Sequence, residues 1–175
     1  ATLVHPQPRQ IAGLIAKEIF ETPDTGLFGV TGTNGKTSTA FYLQRLLSAT
    51  GTPTGLISSA AQIVGSDQTP SELTTPEAPR VHQLLKRMRN QGQNHAALEV
   101  SAQALVRNRV DGLKFDISGF TNLSRDHLDD FVSMDNYLAA KAQLFTDKFS
   151  KKAVINVEEE FGMRLFKSVT IPKVG

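Results

Sequence analysis

The chain has 175 residues, of which 39% are hydrophobic and 21% charged, and this suits a single globular domain with its own core. A formal net charge of +2 is too small to indicate nucleic-acid binding, and the absence of cysteine excludes disulfides, thiolate metal sites and a cysteine nucleophile. No apolar run approaches the ~20 residues of a membrane span and no signal peptide is visible, so a membrane is not expected as a partner.

Apolar spacing along the chain predicts alternating helices and strands. Strands are expected at residues 26–32, 54–59, 95–100, 115–122 and 153–157. Helices are expected at 8–21 and 36–48, from Pro76 onward, after Ser101, at 136–145 and after the last strand. Residues 60–75 are interpreted as a loop. This order predicts an α/β fold with a mostly parallel sheet covered by helices, in which ligands bind at the carboxyl ends of the strands.

A phosphate-binding loop is predicted where the first strand meets the second helix, at Gly32-Thr-Asn-Gly-Lys-Thr37. Glycines let backbone N–H groups converge on phosphate oxygens, and the helix N-terminus adds partial positive charge. Lys36 could then bridge the terminal phosphates, and the Thr37 hydroxyl could hold Mg²⁺. The match to GxxxxGK[ST] is imperfect, because Val30 stands at the first glycine position. The structural alternative is a glycine-rich turn with an exposed lysine.

Two further strands end in polar residues at the same predicted edge. Glu99 ends one of them, where a carboxylate beside the loop threonine would suit Mg²⁺, although an ordinary strand-end carboxylate is an equal alternative. The polar run 121–129 follows the other, and its Asp126 or His127 could ligate metal or contact nucleotide, although imidazole is not a preferred Mg²⁺ ligand. Asp116 begins a short GTPase-like DxxG pattern, but no guanine-binding signature accompanies it.

Two hydroxyl residues stand at predicted helix starts. Thr75 and Ser101 are interpreted as N-caps, and a hydroxyl in that place can also face a ligand. Arg107 and Arg109 lie where they could help to hold an anion.

Lys141 lies inside the apolar face of its predicted helix, four residues after Tyr137 and four before Phe145. A lysine in that place most often snorkels, with its stem along apolar surface and its ammonium in water.

Six segments together resemble the Mur ligases in order and spacing. They are GVTGTNGKTSTA (29–40), ELTTPEAP (72–79), LEVSAQAL (98–105), RVDGLKFD (109–116), FTNLSRDHLD (120–129) and YLAAKAQLF (137–145). The phosphate loop by itself would admit the whole superfamily, including folylpolyglutamate synthase. LTTPE, LEVS and FTNLSRDHLD favour the members that add the third peptide residue to bacterial cell-wall precursors.

The resemblance implies a cytoplasmic, ATP-dependent amide ligase of bacteria with a P-loop-containing central domain. Residues 1–25 would be a linker and leading helix, and 26–175 an incomplete ATP-binding domain without the family's UDP-binding and amino-acid-binding domains. The implied substrates are UDP-N-acetylmuramoyl-L-Ala-D-Glu and a diamino acid, with ATP and Mg²⁺ as cofactors. The chain alone is expected to be inactive, and a monomer is expected.

The resemblance also assigns residues. The ATP loop would comprise Gly32, Thr33, Asn34, Gly35, Lys36, Thr37 and Ser38. Thr37 and Glu99 would hold one Mg²⁺, and His127 and a carbamylated Lys141 a second. The residues that do the chemistry would be Lys36, Glu99, His127 and Lys141. The muramoyl-dipeptide would contact Thr74, Thr75, Ser101, Arg107 and Arg109.

The chain departs from the family pattern near the acceptor. Ala102 and Gln103 stand where the family commonly has serine and histidine, Arg107 where relatives often have glutamine, and Leu73 where some have asparagine. These changes bear on fine substrate contacts rather than on the nucleotide site. Two alternatives are a folylpolyglutamate-type ligase and a non-catalytic nucleotide-binding module or GTPase-like switch.

Overall fold

The computed structural model describes residues 4–22, 24–126 and 128–175. The helices are α1 (Pro8–Ile19), α2 (Lys36–Ala49), α3 (Ala78–Asn90), α4 (Ala102–Val106), α5 (Leu128–Phe131), α6 (Met134–Ala142) and α7 (Glu160–Ser168). The strands are β1 (Gly26–Thr31), β2 (Thr54–Ile57), β3 (Gln62–Val64), β4 (Asp67–Thr69), β5 (His95–Glu99), β6 (Phe115–Phe120), β7 (Ser150–Ile155) and β8 (Lys173–Val174).

The eight strands form one sheet in the order β4-β3-β2-β5-β1-β6-β7-β8. From β2 to β8 every neighbouring pair is parallel, and β3 and β4 are antiparallel at one edge. The predicted α/β fold with a mostly parallel, helix-covered sheet is therefore confirmed. Val30 of β1 is in register with Glu99 of β5 and Gly119 of β6, so these three strands end side by side. The loops that follow them meet at one edge of the sheet.

The interpretation of 60–75 as a loop is wrong over the β3–β4 hairpin. Gln62–Val64 is buried, but it spans only three residues, and Asp67–Thr69 is wholly exposed, so neither segment shows a strand periodicity. Gly65, with φ of +62°, turns the chain between them. Pairing with β2 creates these strands, and no local pattern could have predicted it.

Helix α3 begins two residues later than predicted. Glu77 is its N-cap and Pro79 lies in its first turn, so Pro76 is not a helical residue and Thr75 is not a cap. The Thr75 hydroxyl instead donates to the Glu99 carbonyl oxygen at 2.8 Å. The predicted cap at Ser101 is confirmed, since its hydroxyl accepts from the Ala104 N–H at 3.1 Å.

The remaining boundaries differ by short lengths. The predicted helix 136–145 is α6 followed by a 3-10 turn at Gln143–Phe145, and the predicted strand 153–157 begins three residues earlier, at Ser150. The short strand β8 was not predicted. Among the described residues no helix has the length and apolarity needed to cross a membrane.

Helix α1 packs against α3. Gly13 of α1 also lies against the segment between α4 and β6, because a Cβ there would lie 2.1 Å from the backbone oxygen of Asp111. Buried His82 of α3 lies between the Thr22 hydroxyl, 2.8 Å from Nδ1, and the Asp111 carbonyl oxygen, 3.2 Å from Nε2. The leading helix is therefore in direct contact with the rest of the described chain.

A strained turn sets the start of α6. Val132 has φ of +67°, a value that β-branched residues rarely adopt, and its side chain is 84% exposed. Around it the Ser133 N–H donates to the Phe131 carbonyl oxygen at 2.7 Å, which closes a three-residue γ-turn. Ser133 then caps α6 by accepting from the Asn136 N–H at 3.1 Å. The turn therefore determines where the helix containing Lys141 begins.

We expect Val132→Gly to raise the free energy of unfolding by about 1 kcal/mol, because glycine tolerates this backbone angle and the exposed valine loses little packing. Urea denaturation would measure the gain. Val106→Gly, at a partly exposed valine in the regular helix α4, is the matched control and should lower stability. A loss of stability in Val132→Gly would contradict the proposed strain.

Candidate functional site

The loop between β1 and α2 is held against the loop that follows β6. Gly32 has φ of +150°, and a Cβ there would lie 1.9 Å from the Thr121 hydroxyl oxygen. The Asn34 N–H donates to the Asn122 side-chain oxygen at 2.9 Å, and the Thr121 hydroxyl donates to the Asn34 carbonyl oxygen at 2.7 Å. Gly35, with φ of +82°, is the N-cap of α2. Both glycines are therefore required by the observed backbone.

The start of α2 presents a cluster of free backbone donors. Among the described residues, no acceptor lies in hydrogen-bonding position for the N–H groups of Gly35, Lys36, Thr37 and Ser38, and the first helical bond runs from the Thr39 N–H to the Gly35 oxygen at 2.9 Å. Such a set, at the positive end of a helix dipole, suits a phosphate group.

Lys36 lies at the mouth of this loop. Its ammonium donates to the Thr33 carbonyl oxygen at 2.8 Å. Burial lowers the pKa of Lys36, while the negative charges of Glu99 and Asp126 act in the opposite direction. The lysine is thus directed at the loop rather than extended into solvent, as the phosphate-loop hypothesis requires.

Glu99 joins α2 to the end of β2. Its side chain is 2% exposed, and one oxygen, Oε2, accepts from the Thr37 hydroxyl at 2.9 Å and from the Ser59 N–H and hydroxyl at 2.9 and 3.0 Å. The other oxygen accepts no hydrogen bond from the described residues. A carboxylate beside two hydroxyls is the kind of hard-oxygen set that Mg²⁺ prefers.

Ser59 was not predicted as a site residue. It follows β2 at the same edge of the sheet as Glu99. The rule that ligands bind at the carboxyl ends of parallel strands could have found it, but a serine after a strand is too common to single out.

Lys141 points into the protein. Its side chain is 1% exposed, its ammonium donates to the Gly32 carbonyl oxygen at 2.7 Å, and it lies 4.3 Å from the centre of the Tyr137 ring. The snorkelling alternative is therefore wrong. The pKa of Lys141 is lowered to about 7, mainly by burial and then by the positive charge of Lys36, while the negative charge of Asp126 acts in the opposite direction.

A cavity of about 280 Å³ connects Lys36 and Lys141 with four of the five predicted acceptor residues. Four cationic side chains line it, namely Lys36, Arg107, Arg109 and Lys141. Thr74 and Ser101 also line it, together with the unpredicted Leu73, Ala102, Gln103 and Tyr137. Among the described residues that line the cavity none is acidic, so the cavity suits an anionic ligand.

Two residues that the sequence analysis singled out, Thr75 and Asp116, lie away from the cavity. Thr75 is completely buried and does not line the cavity. His127 lies outside the described residues. Asp116 lies near the opposite end of β1, where its carboxylate accepts from the Leu27 N–H at 3.0 Å and pairs with Lys151 at 2.6 Å. The DxxG pattern therefore does not form part of this site.

Replacing Lys141 by methionine should stabilise the protein at neutral pH. The lysine titrates near 7 when folded and near 10.5 when unfolded, so the unfolded chain binds more protons between these values and wild-type stability rises with pH there. The advantage of Lys141→Met should be roughly a few kcal/mol below pH 7 and should shrink toward pH 10.5. Urea denaturation in CO₂-free buffers would measure it.

Lys36→Met is a companion variant for this titration. Removing the like charge should raise the folded-state pKa of Lys141, so the pH range over which stability rises should begin at a higher pH and become narrower. A stability difference between Lys141→Met and wild type that stays constant with pH would contradict a lowered pKa.

Comparison with known proteins identifies the family. Residues 30–174 match the family model of the Mur ligase middle domain. The chain is 49% identical over 172 residues to UDP-N-acetylmuramyl-tripeptide synthetase of Leifsonia xyli subsp. xyli, covering 97% of this chain and 34% of that protein. It is 44% identical over 174 residues to UDP-N-acetylmuramoyl-L-alanyl-D-glutamate–2,6-diaminopimelate ligase of Streptomyces coelicolor, covering 98% and 34%.

A solved structure agrees with these relatives. A UDP-N-acetylmuramoyl-L-alanyl-D-glutamate–2,6-diaminopimelate ligase superposes with a TM-score of 0.86 at 28% identity, covering 98% of this chain and 37% of that one. The chain thus spans about a third of the length of the curated relatives it matches. It belongs to the Mur ligase family and corresponds to the family's middle domain.

Proposed function

We propose that this chain is the ATP-binding part of a ligase that joins a diamino acid to UDP-N-acetylmuramoyl-L-Ala-D-Glu. One observation carries the proposal: the predicted phosphate loop, the hydrogen-bonded Thr37–Glu99 pair and the cavity lined by basic side chains all lie at one edge of the sheet. The names of the similar proteins support the substrate class. The bacterial cytoplasm as location, a linker and leading helix at 1–25 and an incomplete ATP domain at 26–175 belong to the same proposal.

The residues at the loop fit ATP and magnesium. The free N–H groups of residues 35–38 would hold phosphate oxygens, and Lys36 would offset the charge of the terminal phosphates. Thr37 and Glu99 would hold one Mg²⁺, and His127 with a carbamylated Lys141 would hold a second. Bound magnesium would supply positive charge that stabilises the phosphoryl oxygens during transfer.

The proposed reaction has two steps. An oxygen of the D-glutamate side-chain carboxylate attacks the γ-phosphorus of ATP, the bond to ADP breaks, and an acyl phosphate forms. The amine of the diamino acid then attacks the acyl carbon, phosphate leaves, and the amide forms with loss of a proton from nitrogen. Lys36 would neutralise charge on the transferred group, and Arg107 and Arg109 would hold the anionic precursor beside it.

The surroundings of Lys141 support the proposal that it is carbamylated. Only the neutral amine attacks CO₂, and a pKa of about 7 leaves this form well populated at neutral pH. The product loses a proton and becomes an anion with two oxygens, which replaces a cation next to the proposed metal site. The carbamate nitrogen keeps one N–H, so the hydrogen bond to the Gly32 carbonyl oxygen can persist.

With ¹³C-labelled bicarbonate and Mg²⁺, we expect a carbamate carbon resonance in wild type that is absent from Lys141→Met. The signal should be strong at about pH 8 and fade below about pH 7, because the protonated amine does not react. NMR of the labelled protein would measure it. If the wild-type spectrum at about pH 8 lacks this carbamate resonance, the proposed carbamate is contradicted.

Full-length protein should release ADP only when both the muramoyl-dipeptide precursor and a diamino acid are present. Gly32→Ala should reduce this rate by roughly 100-fold or more, since the new Cβ would collide with Thr121 and displace the phosphate loop. Gly51→Ala is the matched control: Gly51 also has a positive φ of +84°, but no atom lies within 4 Å of a Cβ there. A coupled assay would measure the rate of ADP release by wild type, Gly32→Ala and Gly51→Ala.

The same assay separates the alternatives. ADP release with a folate and glutamate instead would favour a folylpolyglutamate-type ligase. Nucleotide binding without ADP release for any acceptor would favour a non-catalytic module, and a preference for GTP would revive the GTPase-like alternative. Turnover by the 175-residue chain on its own would contradict the expectation that other domains complete the site.

A further inference from the structure

The guanidinium of Arg109 is held by groups outside the cavity that it lines. Nε lies 3.0 Å from Glu77 Oε1, and Nη1 donates to the Thr75 carbonyl oxygen at 3.2 Å. The Nε–H bond is not directed at the carboxylate, so the contact with Glu77 is an ion pair rather than a hydrogen bond. Nη2 donates to no described residue and is the nitrogen left for a ligand.

The segment that holds Arg109 is fixed to the end of β5. Thr75 donates its hydroxyl to the Glu99 carbonyl oxygen at 2.8 Å and accepts from the Ser101 N–H at 3.1 Å. Glu77 has the extended backbone of an N-cap, so the rigid helix α3 starts directly after it. The position of Arg109 is thereby set relative to Glu99, whose carboxylate lies at the proposed magnesium site.

Electrostatics explain why a carboxylate is needed behind Arg109. Lys36 and Arg107 line the same cavity, and their positive charges repel the guanidinium, which is itself buried at 9% exposure. The negative charge of Glu77 attracts the guanidinium and offsets this repulsion. Glu77 is not among the residues that line the cavity, so its charge does not repel an anionic substrate bound there. An unpaired arginine could swing outward to solvent.

We propose that Glu77 is a positioning residue that keeps Arg109 directed at the anionic acceptor substrate. This inference rests on the proposed function. Glu77 has a second partner, Arg9 of α1, at 3.5 Å, but that pair is solvent-exposed on both sides and contributes little. Because the Glu77 side chain makes no capping hydrogen bond, its replacement is not expected to weaken the start of α3.

Glu77→Gln in the full-length protein tests the proposal, since it removes the charge and keeps the shape. The KM for the muramoyl-dipeptide precursor should rise about tenfold, while the KM for ATP stays within about twofold. Arg9→Ala removes the other ion pair of Glu77 and is the matched control, with both KM values expected to be unchanged. Melting temperatures of all variants would show whether folding is affected.

Selective ¹⁵N-arginine labelling gives a readout that does not need turnover. The Nε–H resonance of Arg109 should exchange slowly with water in wild type and in Arg9→Ala, and quickly in Glu77→Gln. Slow exchange in Glu77→Gln, an unchanged precursor KM, or equal rises of both KM values would overturn the positioning role. If wild type releases no ADP with this precursor, the proposed function fails, and the exchange rates decide the positioning role independently.

Discussion

The site depends on one buried carboxylate, that of Glu99. Its Oε2 atom receives three hydrogen bonds, from the Thr37 hydroxyl of α2 and from the N–H and hydroxyl of Ser59 after β2. Its backbone oxygen receives a fourth, from Thr75. Burying a carboxylate destabilises the folded state unless the carboxylate accepts hydrogen bonds. Loss of any one of these donors would therefore cost free energy of folding, and this keeps the donors in place. The ends of β2, β5 and α2 are thereby fixed relative to one another.

The second constraint is the close contact between the phosphate loop and the loop after β6. The Asn122 side chain accepts from the Asn34 N–H, and the Thr121 hydroxyl donates to the Asn34 carbonyl oxygen. Thr121 lies so close to the loop that there is no room for a side chain at Gly32. The contacts that shape the loop come from the protein itself. Donors that are already oriented lose less entropy on binding, and their partial charges need no rearrangement when an anion arrives.

The cavity between these constraints concentrates positive charge. The pKa of Lys141 falls to about 7, mainly through burial and then through the positive charge of Lys36. Lys36 and two arginines, Arg107 and Arg109, line the same cavity, and a guanidinium is a cation across the physiological pH range. The chain thus combines one amine that can be neutral with three cations, a distribution that suits both reaction with CO₂ and binding of anions.

The sequence by itself determined the order of the five strands that it predicts and of the helices between them, together with the glycine loop before α2, because these depend on local spacing. The 3.6-residue period placed Lys141 on an apolar helix face, but only the folded chain showed that its ammonium is buried. Tertiary structure alone decided the rest. The β3–β4 hairpin exists only through pairing with β2, and Thr75 bonds to the end of β5 instead of capping a helix. Ser59 and Glu77 acquire their places through partners 40 and 32 residues away in sequence, Glu99 and Arg109. Contacts between distant residues leave no periodic signal, so only the folded chain reveals them.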